Sequence, residues 1–234
     1  MAKSRRLRAS RRRRRPKPAP ALLILECDPE SLPVQPHTFA RDLRTAVSAF
    51  VPGALAGHVQ GSSKQEVLAD FGRWKTEHGR IDMIAVVGHS NLTGIRVAPD
   101  LELAWDAFAQ WVKPFAPRTL VLVACEAGRE VPARALFGGI PTLKELYASP
   151  VLINDLQAAV IKILVPYLLT GRRLSPRART VGQFLNFLIT QGIIWYRRRS
   201  DFRRRPSVLD TAAVTIAEEL VKRAHHELGR VIRS

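Results

Sequence analysis

Cysteine is scarce: Cys27 and Cys125 are the two thiols in 234 residues. A pair cannot make the disulfide framework of a small secreted domain, and no histidines stand at metal-ligand spacing beside it. A reducing cytoplasm is the expected compartment. Long apolar runs are missing as well. Residues 21–25 are too short for the core of a signal peptide, so the preceding arginines do not make an export signal. Residues 156–169 are mostly apolar, but Lys162 and Pro166 interrupt them. They are too short and too broken to span a bilayer, and a buried helix is expected. Acidic residues are the third shortage. Twenty stand against 37 lysines and arginines, for a formal net charge of +17, and none precedes Glu26.

The positive charge is concentrated. Lys3, Arg5, Arg6, Arg8, Arg11, Arg12, Arg13, Arg14, Arg15 and Lys17 crowd the start of the chain. Such a block repels itself and has little apolar surface to bury, so disorder is expected. It reads as a solvated tail, or as an electrostatic arm for nonspecific contact with nucleic acid or an acidic membrane surface. No aromatic interleaves the arginines, so base stacking has no support. Residues 16–20 are a proline-rich linker. With 46% hydrophobic residues, the remainder has enough apolar surface for a sizeable core. The expected organisation is a basic tail and linker over 1–20, a folded domain over 21–192, and a basic linker with a C-terminal helix over 193–234.

Strand and helix signals alternate. Residues 21–28, ALLILECD, read as a first strand. Leu43, Val47 and Phe50 have helical spacing within 39–51, and Pro52-Gly53 stops that helix. Residues 55–60 suggest a short second strand. Ser62 and Gln65 have capping-box spacing at the head of a helix that ends at Gly79. An apolar strand then ends at His89. A turn or small hairpin follows over 91–99, and residues 101–115 carry apolar positions at three- and four-residue spacing, which predicts a helix. A second apolar strand ends at Cys125. A short helix near 142–147 and a strand over 151–154 are expected next. Helices follow over 156–169, from Thr180 through Leu188, and from Leu209 to Val231. This alternation predicts a parallel sheet with right-handed crossovers.

The two central strands carry the chemistry. IDMIAVVGHSN ends in His89 and TLVLVACEAG ends in Cys125. In open α/β sheets, functional groups gather past the carboxyl ends of the strands. Neighbouring strands with these ends bring an imidazole to a thiol. The imidazole can take the thiol proton or stabilise the thiolate as an ion pair. The resulting nucleophile attacks a peptide carbonyl, and the imidazolium protonates the leaving amine. Backbone N–H groups of Ser90 and Cys125 are the candidate oxyanion donors. Gly88 and Gly128 are expected to let the backbone approach a substrate.

Val86-Val87-Gly88-His89, a helix, and then Ala124-Cys125-Glu126-Ala127-Gly128 resemble the caspase-like clan of cysteine peptidases, especially its bacterial CHAT branch. Tyr167-Leu168-Leu169-Thr170-Gly171 is similar to the end of a later CHAT helix. The resemblance covers about residues 22–191. It implies an α/β caspase-like three-layer sandwich, with a mainly parallel central sheet of five or six strands flanked by helices; a helical C-terminal extension follows. It also implies cysteine endopeptidase activity, with His89 as general acid/base and Cys125 as nucleophile. A protein or peptide substrate, a regulatory partner protein and a role in bacterial stress or defence are further implications. The dyad requires no metal or organic cofactor. The family usually has Gly after the His, where this chain has Ser90, which keeps the N–H. Asp28 is similarly placed to an acid that basic-specific members use in the substrate pocket; Asp155, at the end of an expected strand, is a second pocket candidate. Such a carboxylate pairs with Arg or Lys.

Other readings stay open. Gly88-His89-Ser90 suggests a serine nucleophile, but the last glycine of G-x-S-x-G is missing. A catalytically inactive scaffold whose basic arms bind nucleic acid or a partner is the non-enzymatic alternative. Cys27 reads as a small buried hydrophobe. His37, His58 and His78 read as solvated, and His225 and His226, adjacent on a helix, cannot share a face as metal ligands.

Overall fold

The computed structural model describes residues 19–28, 38–79, 81–152, 155–172, 174 and 181–203. Eight strands and six α-helices lie in these stretches. In chain order the first half runs β1 (Ala21–Cys27), α1 (Phe39–Phe50), β2 (Leu55–Gly61), α2 (Lys64–His78), β3 (Met83–Val87), β4 (Gly94–Ala98), β5 (Leu101–Ala104) and α3 (Trp105–Val112). The second half runs β6 (Thr119–Val123), α4 (Glu130–Gly139), β7 (Glu145–Ala148), α5 (Asp155–Leu169), α6 (Val181–Thr190) and β8 (Trp195–Arg198).

Six strands form one sheet in the order β2-β1-β3-β6-β7-β8. The first five are parallel, and β8 runs antiparallel to β7. Every residue of β1 and β3 is buried, as expected of inner strands covered on both faces. Alternate residues point to opposite faces. Leu23, Leu25 and Cys27 pack with Phe71 of α2, Phe108 of α3 and Leu136 of α4. Leu22 and Ile24 pack with Leu43 of α1, Ile161 of α5 and Leu185 of α6. The expected α/β architecture is therefore present, with a mainly parallel sheet between two helical layers.

Several local expectations need correction. The N-cap of α2 is Ser63, whose hydroxyl accepts from the Glu66 N–H at 3.3 Å. The cap therefore sits one residue beyond Ser62. The Asp100 carboxylate takes a second orphan donor of that helix, the Lys64 N–H, at 2.9 Å. The expected helix over 101–115 begins only at Trp105. LELA also alternates apolar and polar, and it pairs antiparallel with β4 as a two-stranded ribbon. The helix expected near 142–147 is absent; residues 145–148 form β7 instead, because the edge of β6 offers them a parallel ladder from Thr119↔Glu145 to Leu122↔Ala148. Val151 and Leu152 lie outside any strand; Pro150 ahead of them has no N–H to give a ladder.

Residues 195–198 were expected in a basic linker and instead supply the sixth strand. Tyr147 and Tyr196 are register partners and stack at 4.8 Å, and the Tyr196 hydroxyl reaches Glu145 at 3.0 Å. The helix over 156–169 is present as α5, and Gly171, at φ 74, follows its end. No helix among the described residues is long and apolar enough to cross a membrane. The basic tail with Arg11, Arg12, Arg13, Arg14 and Arg15, the cap at Thr180, and the helix from Leu209 to Val231 lie outside the described residues.

Candidate functional site

The register of the two central strands sets the site. Val87 and Val123 are partners across β3 and β6. The ladder extends one step further, where the Gly88 N–H donates to the Val123 carbonyl at 3.1 Å. His89 and Cys125 each stand two positions past that Val pair, in the turns that follow two strands paired side by side. His89 is exposed and Cys125 is half-buried. Cys27, by contrast, is fully buried, as expected of a core thiol.

After His89 the chain turns back on itself. The Arg96 N–H donates to the His89 carbonyl and the Asn91 N–H donates to the Gly94 carbonyl, both at 3.0 Å. These bonds flank an isolated antiparallel bridge between Ser90 and Ile95. Neither of them uses Ser90's own N–H, which such a non-hydrogen-bonded pair turns away from its partner. Asn91 fixes the turn: its side-chain oxygen accepts from the Thr93 N–H at 2.7 Å, the Gly94 N–H at 3.0 Å and the Thr93 hydroxyl at 2.6 Å. Its carbonyl accepts from the Trp105 indole at 2.9 Å.

The Cys125 loop is held from the other side. Glu126 takes the left-handed conformation at φ 57, and its N–H donates to the Val151 carbonyl at 3.1 Å. The Gly128 N–H donates to the Ser149 carbonyl at 2.7 Å. Beneath lie two fully buried polar residues that the sequence reading passed over. Gln157 donates to the Ser149 hydroxyl and to the Ile193 carbonyl, both at 2.8 Å. Between the two loops runs a side-chain bond: the Ser90 hydroxyl donates to the Cys125 carbonyl at 2.5 Å. A serine nucleophile needs a base for that proton, so this partner gives the Ser90 hydrolase reading no support.

Gly88 and Gly128 have a duty inside the fold. A Cβ on Gly88 would stand 2.5 Å from the Cys27 Cβ, and one on Gly128 would stand 2.9 Å from the Ala148 carbonyl. Internal packing demands both.

Asp28 follows the last residue of β1 at the same edge of the sheet. It adopts φ 41 and is 2% exposed. Its N–H donates to the Val97 carbonyl at 3.0 Å, and its carboxylate meets Arg96 Nε at 2.8 Å as an ion pair. The carboxylate proposed for a basic substrate thus already faces a cation of the same chain. Asp155 does not end a strand; it is the first residue of α5, and its side chain lies outside the described residues. His58 is not simply solvated. Its Nε2 lies 3.0 Å from the Glu26 carboxylate, which is 3% exposed and whose Oε1 has no partner among the described residues. The sequence signal was the lone acid in ALLILEC. His78 lies against Trp74, with ring centroids 4.2 Å apart and the planes tilted by 37°. His37, His225 and His226 lie outside the described residues. Among the described residues no three His, Cys, Asp or Glu side chains gather to hold a metal.

No protein-family profile matches the chain, and no curated protein matches it. Among solved structures it is similar to caspase-1 from Spodoptera frugiperda, at 12% identity and a TM-score of 0.41, covering 70% of this chain and 79% of that one. The overlap is loose, and the class of the protein rests on its own sheet order and layers: a three-layer α/β fold with an exposed imidazole and a half-buried thiol at the carboxyl edge of its central strands.

Proposed function

We propose that the chain is a cysteine endopeptidase of the caspase-like, CHAT type, acting on a protein or peptide substrate. The observation that carries this reading is the parallel β3–β6 pair, whose in-register ends lead to His89 and Cys125. His89 takes the Cys125 thiol proton. The thiolate attacks the peptide carbonyl carbon; a C–S bond forms and the π pair moves to oxygen. The N–H groups of Ser90 and Cys125 hold that oxyanion. On collapse the C–N bond breaks, and His89 returns its proton to the leaving amine. Water, deprotonated by His89, then cleaves the thioester and frees Cys125. The orientation of the Ser90 N–H, away from the Ile95 bridge, supports its part in this scheme.

The test is labelling with a thiol-reactive peptide electrophile. Cys125 is labelled in the native chain and Cys27 is not. His89→Ala slows labelling by at least about 100-fold, the scale of general acid–base assistance. Equal labelling of both thiols, or indifference to His89→Ala, defeats the proposal and leaves the inactive scaffold with basic arms as the alternative.

A further inference from the structure

We propose that the Ser90 hydroxyl is a positioning group that sets the geometry of the oxyanion site; this rests on the His89–Cys125 reading above. Ser90 Oγ donates to the Cys125 carbonyl at 2.5 Å. On the other side of the same peptide plane, the Glu126 N–H donates to the Val151 carbonyl at 3.1 Å. The Cys125–Glu126 peptide is therefore held at both of its polar ends, and rotating it breaks both bonds. This peptide leads into a left-handed turn, Glu126 at φ 57, and holding it fixes the chain on one side of Cys125, whose own N–H lies in the preceding peptide.

Ser90 is itself held. The bonds from Arg96 to His89 and from Asn91 to Gly94 fix its backbone against Ile95, and the Trp105 indole fixes the Asn91 carbonyl at 2.9 Å. One hydroxyl thus joins the β4–β5 ribbon and the start of α3 to the thiol-bearing loop. The two residues it joins are the two whose N–H groups hold the oxyanion. A glycine at this position, usual in the family that the sequence resembles, supplies the N–H but not this tie. Ser90 therefore adds to that donor a tie to the loop that carries its companion.

The experiment compares two reactions of Cys125 in the full chain. With a peptide aldehyde the thiolate adds to the carbonyl carbon, a C–S bond forms, and the π pair moves to an oxygen that needs the donors. With iodoacetamide the thiolate forms a C–S bond as the C–I bond breaks and iodide leaves, and no oxyanion arises. Ser90→Ala is expected to weaken aldehyde affinity by about tenfold, the worth of one well-placed hydrogen bond, and to leave the alkylation rate unchanged. Ser90→Thr, which keeps the hydroxyl, retains the affinity. If Ser90→Ala does not fold, Ser90→Gly carries the same expectation. Undiminished aldehyde affinity in Ser90→Ala overturns the proposal, and so does an equal loss in both reactions, which marks a general structural role. If the unsubstituted chain binds the aldehyde no better than Cys125→Ala does, the dyad reading itself fails and the positioning role with it. That failure appears before any Ser90 substitution is made, so the two are distinguishable.

Discussion

Gly88 and Cys27 touch back to back: a methyl group on Gly88 would come within 2.5 Å of the Cys27 Cβ. Gly88 precedes His89, so the core packing of β1 dictates how β3 delivers the imidazole to the sheet edge. Gly88→Ala is expected to destabilise the fold by about 1–3 kcal/mol, the usual cost of overpacking, and to slow Cys125 labelling by shifting His89. Denaturant unfolding and the labelling rate, measured on one sample, check both halves.

Cys27 gives a pH signature. Burial pushes its thiol well above the ordinary 9.0, and the Asp28 and Glu26 carboxylates push the same way. The folded chain therefore keeps a proton that the unfolded chain releases. Stability from this group is complete below pH 9 and falls as the pH rises beyond it, by at most about 1.4 kcal/mol per pH unit. Cys27→Ala flattens that part of the curve. Tyr147, also raised by burial from an ordinary 10.0, bends both curves at higher pH. Unfolding midpoints from pH 8 to about 11 separate the two groups.

The cap of α2 is a sharper test of the local structure. Ser63→Ala removes the acceptor of the Glu66 N–H and is expected to cost about 1 kcal/mol. Ser62→Ala leaves that bond intact and is expected to change stability by less than about 0.5 kcal/mol. Equal effects in chemical denaturation would return the cap to residue 62.

Arg96 lies 46% exposed against a carboxylate that is 2% exposed. Arg96→Ala leaves the buried charge of Asp28 without that cation and is expected to cost about 1–3 kcal/mol, below the range for a fully buried pair because solvent already reaches the guanidinium. Adding Asp28→Asn removes the charge along with its partner, so the double variant loses less than the sum of the two single ones. Additive losses would mean that the two charges do not interact.

The sequence exposed the middle of the sheet more readily than its edges. ALLILEC and IAVV are buried on both faces, and continuous apolar runs advertise that environment. His89 and Cys125 were legible for the same reason: each follows such a run. Residues 145–148 were harder, because a four-residue strand has too few turns to display a period and only the ladder with β6 selects extension. WYRR was hidden by its arginines, although Tyr196 stacks on Tyr147 of the neighbouring strand and the Arg197 guanidinium lies 4.4 Å over Trp195. Which distant residues pair is not written in any local window, even where one partner stands out as Glu26 does in ALLILEC. Ser90 and Cys125 are 35 positions apart and His58 and Glu26 are 32, and neither separation fits a motif.

The sixth strand changes what the arginine count means. Arg197 donates to the Gly128 carbonyl at 3.3 Å, and Arg199 donates to the carbonyls of Leu143, at 3.0 Å, and Ile140. Their guanidinium groups are rivets between a border strand and the turns beside it. Replacing them to probe a polyanion would loosen the scaffold before it altered any affinity, and a loss of binding in such variants would say nothing about contact. Experiments on charge-driven association therefore belong at Arg11, Arg12, Arg13, Arg14 and Arg15, with Arg197 and Arg199 left untouched.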